Sequence, residues 1–343
     1  MPTLTDVFTP DGFTPYSLTA AIQRFPYQPT IIQQLGLFRE VPIKTTTAVV
    51  EEMNGMITLV PTTKRGGPGV PSQDPKRVVR SFKIPHIQLD DIVTADDVID
   101  VRQFGNPDPM AGVGEVISRK FEVMRRSLDV TDEYLRMGAL NGIVTYPTNS
   151  EDAALNLFTE FGTSIQTVAL GLGTETTDVA AMVATIRDAI QSAMGGTPYT
   201  GITCLCSRVL FRALIAHPLV RQFYADYTKQ RMLGSIGYVE VNQRDFVFEG
   251  VRFIEYGDHT VSDKTLYGGD ATGGGTAFPT GADIFQTWLA PGDFVEATGT
   301  LGQPQYARQY MSPDGKSVNL EAQRNPLNIC TRPRALVTID YDT

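Results

Sequence analysis

Four groups of residues in this chain have the types and spacing that could do chemistry. Gly315-Lys316-Ser317 has the look of the end of a phosphate-binding loop. That motif needs a further Gly five residues before Gly315, and Tyr310 stands there instead. No helical pattern follows either, so Pro313-Asp314-Gly315 reads as a β-turn. Cys204 and Cys206 fall two apart on an expected strand and so share one face, but a structural zinc site needs four ligands and no second Cys or His pair is nearby. They read as buried thiols. The three histidines, His86, His217 and His259, are isolated, and no Gly-x-Ser-x-Gly elbow supplies a nucleophile for any of them. Asp90, Asp91, Asp96, Asp97 and Asp100 could in principle hold a hard cation, yet they lack the order and central Gly of an EF-hand loop. A solvated acidic face, or one that meets a basic patch on a neighbour, is the plainer reading. No group amounts to a catalytic constellation, so no catalytic, cofactor-binding or metal-ligating residue is assigned and no cofactor is expected.

Composition narrows the field further. The chain has 343 residues, 42% hydrophobic and 20% charged, near the values of an ordinary folded protein. A formal net charge of -9 argues against a surface that grips nucleic acid, because such affinity comes from neutralising phosphates. A surface that faces DNA without holding it fits that charge. Three cysteines give no disulfide framework and suit a reducing cytoplasm. Residues 1–20 lack the basic and apolar regions of a signal peptide. No run approaches the roughly 18 apolar residues of a membrane span.

The elements that would carry any function are unusual in their order. Residues 1–43 are Pro-rich with one short helical run, Ser17 to Arg24, and read as an arm lying across other surfaces. Residues 44–88 are β-like: Thr45 to Met53 as strand, Asn54-Gly55 as a tight turn, Met56 to Thr63 as strand, then the polar tip Lys64-Arg65-Gly66-Gly67-Pro68-Gly69. Arg77 to Ile87 returns as strand. Such a segment has too few apolar residues for a core of its own and needs support from another chain.

Leu89 to Val101 is acidic and amphipathic. The strongest helical periodicity follows over about 110–137, with Val113, Val116, Ile117, Phe121, Met124 and Leu128 on one face. Glu115 with Arg119, Glu122 with Arg126 and Asp132 with Arg136 are acid-before-base pairs four apart, each worth a few tenths of a kcal/mol. A helix of about 28 residues spans roughly 42 Å, more than a compact domain needs. Further on, a hairpin is expected to turn at Thr148-Asn149-Ser150. Thr177-Asp178 caps a helix to Met194, Tyr199 to Cys206 is strand, and Ser207 to Ala216 and Leu219 to Arg231 are helices. Strands follow at Ile236 to Val241, Arg244 to Phe248 and Arg252 to Tyr256, then a Gly/Thr-rich loop from Gly268 to Gly281. Ile284 to Leu289, Tyr306 to Met311, Val318 to Cys330 and Ala335 to Tyr341 are the closing strands. The class is α+β with long arms.

In this order of elements the chain resembles the major capsid proteins of lambda-like tailed phages, the gpE type, which have the HK97-like fold. The carrying residues are Lys64-Arg65-Gly66-Gly67 with the returning strand Arg77 to Leu89, the helix block Ile117 to Asn141, and Asn325 to Cys330 with Arg334-Ala335-Leu336-Val337. The resemblance implies an N-terminal arm (1–43), an extended loop over an adjacent subunit (44–88) and a peripheral domain (89–198) built on a spine helix. It further implies an axial domain (199–311) and C-terminal strands returning to the peripheral domain (312–343). By the same resemblance, copies assemble into pentamers and hexamers of an icosahedral head that encloses DNA, in the host cytoplasm, and end in the virion capsid. Some 43 residues before the loop are too few for a fused scaffolding segment, so a separate scaffolding protein is implied, with a portal protein and, in some relatives, a decoration protein. Some relatives cross-link a loop Lys to an Asn of a neighbour; Lys64, Lys76 or Lys83 and Asn325 or Asn328 would be the candidates, and no such link is expected here. The competing readings are an encapsulin-like compartment and a cytosolic hydrolase.

Overall fold

The computed structural model describes residues 18, 19, 22, 31–54, 76–94, 97, 109–146, 153–234, 245–256, 259–261, 264–266, 274–313 and 315–341. The expected strands Met56 to Thr63 and Ile236 to Val241, the turn Thr148-Asn149-Ser150 and the loop tip Lys64 to Gly69 lie outside the described residues.

In chain order the elements begin with α1 (Ile31–Gln34), β1 (Arg39–Pro42), β2 (Thr47–Asn54), β3 (Lys76–Lys83) and β4 (Ile87–Thr94). The long helix α2 (Pro109–Asn141) follows, then β5 (Ile143–Tyr146), β6 (Ala153–Asn156), α3 (Leu157–Glu160) and β7 (Gln166–Ala169). Next come α4 (Val179–Met194), β8 (Gly201–Cys206), α5 (Arg208–Ala216), α6 (Pro218–Gly234), β9 (Asp245–Phe248) and β10 (Val251–Glu255). The chain continues through β11 (His259–Val261), β12 (Lys264–Leu266), β13 (Gly275–Thr280) and β14 (Phe285–Leu289). It ends with β15 (Tyr306–Met311), β16 (Ser317–Arg324), β17 (Pro326–Cys330) and β18 (Val337–Asp340).

These elements form two compact units. The first gathers Met1–Ala48, Phe82–Tyr134 and Gln286–Asn328. Its sheet has the order β15-β16-β4, antiparallel throughout, with Val318 opposite Val93 and Ala307 opposite Ala322. Residues alternate across a strand, so Val318, Leu320 and Ala322 share one face. That face meets the apolar stripe of α2, and Val116, Ile117, Phe121, Met124 and Leu128 complete one core with Val93, Ala307, Leu18 and Ile22. Burying each large side chain contributes about 1.5–3 kcal/mol. A second sheet, β1-β14-β17, has β1 parallel to β14 with Val41 opposite Trp288. Gly302 extends it, donating its N–H to the Ile43 carbonyl; a Cβ there would lie 2.0 Å from the Leu289 oxygen, so only glycine fits.

The second unit gathers Val49–Ser81, Leu135–Phe285 and Ile329–Thr343. A six-stranded sheet of order β7-β18-β13-β8-β10-β9 forms its centre. The helices follow local signals closely. Asp178 caps α4 by accepting from the Ala181 N–H, and Gly195 ends it in the left-handed conformation. Ser207 caps α5 in the same way at Leu210. The strands β5 and β6 pair antiparallel, as a hairpin reading requires.

Three elements differ from the sequence-based expectation. The long helix does not stop at Met137 but runs through Gly138 to Asn141. Gly138 is helical, and its missing side chain leaves room for the chain to return against it: a Cβ would meet the Ile143 oxygen at 2.9 Å. The Gly/Thr-rich stretch expected as loop contains β13, whose Gly275 sits opposite Cys206 where a side chain would strike Leu210, Leu205 and Cys204. The single strand expected from Val318 to Cys330 is two, broken at Asn325. Pro326 has no N–H to donate and biases the residue before it, and the Asn325 carbonyl instead accepts from Ala290.

Candidate assembly elements and a buried ion network

The candidate chemistry resolves into structural roles. Gly315 has φ +67°, its N–H closes a turn on the Ser312 carbonyl, and a strand follows it, so no phosphate loop forms. The Cys204 and Cys206 sulfurs are 3.4 Å apart and buried on β8. Burial, then the neighbouring Cys206, pushes the Cys204 thiol well above its ordinary value; burial pushes Cys330 up to about 12. Thiolate is the reactive form, so burial disfavours reaction at Cys204 and Cys330 in the folded chain. Among the described residues no group of three or more His, Cys, Asp or Glu could hold a metal. His86 bonds Asn325 and Gln88, and His217 bonds the Thr174 carbonyl. No described helix is long and apolar enough to cross a membrane.

The acidic cluster has its own cation. Lys120 Nζ of α2 lies 3.1 Å from Asp91, 3.8 Å from Asp97, and donates to the Ile92 carbonyl. Asp97 also accepts from the Thr94 backbone and hydroxyl, which hold its carboxyl below the ordinary value. Asp90 accepts from Gln88. Asp96 and Asp100 lie outside the described residues.

On the long helix, Arg126 pairs with Glu122 at 2.6 Å on the exposed face, where such a pair is worth well under 1 kcal/mol. Glu115 and Arg119 are exposed one turn apart. Asp132 behaves differently, for it is buried, 2.7 Å from Arg324, and accepts from Asn328 at 3.0 Å; Arg136 is buried as well. One turn earlier, Asp129 accepts from Gln305 at 2.8 Å and lies 3.4 Å from Arg324 and 3.6 Å from Arg125. Thr287 in turn donates to Asn328 at 2.6 Å. Burial raises the Asp129 carboxyl above its ordinary value, with the nearby Asp132 charge adding to it, despite the opposing pull of Arg324 and Arg125. This network pins the helix to β16, β17 and the approach to β15. Periodicity could have found Asp132, which falls on the stripe of Met124 and Leu128. Nothing local marks Arg324 as its neighbour, or Gln305 as that of Asp129.

The two asparagines considered for cross-linking are both engaged within the chain. Asn325 donates to the Pro291 carbonyl and meets His86, and Asn328 is fully buried between Asp132 and Thr287. The β2–β3 ribbon, by contrast, leaves Val49 and Val79 exposed at 50% and 61%. Its base is anchored, with Ala48, Val50, Phe82 and Ile84 buried. Arg80 lies over the Phe161 ring at 5.0 Å.

Comparison with known proteins bears on what such a molecule does. The model of the family described as phage major capsid protein E matches residues 14–340. The chain is 28% identical over 352 residues to a major capsid protein of Salmonella phage Felix O1, covering 95% of each. It is 28% identical over 329 residues to a major capsid protein of Pseudomonas phage KPP10, covering 90% of this chain and 91% of that one. In structure it is similar to a protein described as a prophage capsid protein (E. coli CFT073), with TM-score 0.60 and 14% identity over 96% of this chain and 99% of the other. That likeness shows the HK97-like fold.

Proposed function

The chain belongs to the phage major capsid protein E family and is a structural capsid subunit, and we propose that its copies close the head through the extended loop of residues 44–88. A major capsid protein of a tailed phage works by association with copies of itself, in the virion capsid, and not by catalysis. In our reading the loop lies over an adjacent subunit within pentamers and hexamers of an icosahedral shell. The supporting observation is the β2–β3 ribbon, a two-stranded sheet whose Val49 and Val79 find no cover in their own subunit. An isolated two-stranded ribbon is marginal at best in water, so a neighbour's surface would supply the missing support.

The remaining assignments follow from the same reading. The interface of each subunit would run to the order of 2,000–5,000 Å², the obligate range. A separate scaffolding protein would template assembly in the host cytoplasm, a portal protein would occupy one vertex, and a decoration protein would suit the expanded shell. The net charge of -9 fits a wall that encloses DNA without gripping it. Deleting residues 65–72, at the loop tip, should leave a soluble subunit that fails to close or hold shells. Normal particles from that deletion, seen by electron microscopy, would overturn the role of the tip.

A further inference from the structure

We propose that the N-terminal arm is docked in cis at Leu18, Thr19, Ile22 and Ile31–Gln34, on the long helix of its own subunit, by a charge clamp made of Arg125 and Glu133. The arm's sequence, rich in proline, reads as a strap laid across other surfaces without saying whose. Its described residues do something else. Leu18 and Ile22 are 6% and 1% exposed and belong to the same core as α2 and the β15-β16-β4 sheet, and Ile32 is fully buried. These side chains complete a core that would otherwise be open.

Polar groups then fix the register. Arg125 donates to the Ile22 carbonyl, and the Ile32 N–H donates to Glu133 at 3.0 Å. The two clamping residues stand eight apart on one helix, about 12 Å along its axis, so together they set both the position and the direction of the arm. Each satisfies a backbone group that would be costly to bury unpaired. Arg125 is itself steadied by Asp129, 3.6 Å away.

A third contact seals an edge. β15 is an outer strand of its sheet, and its outward Ala307 N–H and carbonyl would be open to pairing with another chain. The Thr19 hydroxyl accepts from that N–H at 3.1 Å and donates to that carbonyl at 3.2 Å. In this subunit the arm's own Thr19 therefore occupies the β15 edge at Ala307. It follows that truncation through Ile32 acts on the folding of the subunit before it acts on assembly. The inference stands apart from the loop assignment above, since it concerns the subunit before copies meet.

Hydrogen exchange on the unassembled subunit tests it. The Ile32 and Ala307 amides should be protected before any shell forms. Glu133→Ala should cut protection at Ile32 about tenfold or more, while Glu133→Gln, whose amide oxygen still accepts, should keep most of it. A second measurement does not depend on that variant folding. Thr19→Cys combined with Ala307→Cys in one chain should give an internally cross-linked monomer on oxidation of assembled particles. Particles mixed from the two single variants should give no covalent dimer. An unprotected Ile32 amide in the free subunit, or covalent dimers from the mixed particles, would overturn docking in cis.

Discussion

Replacing Arg324 with leucine should be among the most damaging single changes in the first unit. The Arg324 side chain is 5% exposed and faces Asp129 and Asp132, which are 1% and 0% exposed, at 3.4 Å and 2.7 Å. Arg324→Leu leaves two buried carboxylates with Arg125, Gln305 and Asn328 among the donors that remain. Breaking a buried pair from one side costs about 3–5 kcal/mol, because the abandoned charge stays buried. With a urea slope of about 3 kcal/mol/M, the unfolding midpoint of the free subunit should fall by about 1–1.7 M. Removing the charges together, as Asp129→Asn, Asp132→Asn and Arg324→Met, should recover most of that loss, since a whole buried ion group often contributes little net. The pH dependence has a definite sign. Asp129 is raised in the fold, so between its unfolded and folded values the native state holds the extra proton and stability falls as pH rises. Losing the Arg324 charge raises Asp129 further, so the deficit of Arg324→Leu should shrink as pH is lowered from neutral toward the carboxylate range. A midpoint shift below about 0.3 M, or a triple variant no better than the single one, would refute this account of the network.

Two further outcomes can be checked on the same material. Gly138→Leu should destabilise the subunit by about 1–3 kcal/mol in urea unfolding, because a Cβ there already meets the backbone of Ile143 and Val144 at 2.9 Å and 3.0 Å. Cys204, Cys206 and Cys330 should resist a thiol reagent in the folded subunit and react in denaturant, burial having raised Cys204 and Cys330; rapid labelling of the native protein would contradict their placement.

How much of this was legible in the sequence depends on the range of the interaction. The long helix announced itself through the spacing of Val116, Ile117, Phe121, Met124 and Leu128, and α4 through Asp178 and Gly195, because caps and stripes are local. The strand β13 did not. Gly275, Ala277 and Pro279 have poor strand preference, and the strand state of this segment comes from pairing with β8 and, over Gly275 to Ala277, with β18. The break at Asn325 is readable afterwards from Pro326, yet the strand-like alternation of Val318, Leu320 and Ala322 with polar residues masked it. The buried network was the least legible part. Asp132 meets Arg324 across 192 positions of chain, and no local pattern encodes such a pairing. The arm was half legible: its prolines marked it as unable to fold alone, while the surface that receives it became visible only with α2 and β15 in place.

The central claim is that copies of this chain close a shell with the β2–β3 ribbon reaching onto a neighbour. Electron cryo-microscopy of the purified protein under assembly conditions tests it most directly. The account predicts closed icosahedral particles in which Val49 and Val79 are covered by an adjacent subunit. A protein that stays monomeric or dimeric, or particles in which the ribbon lies on its own subunit, would contradict it.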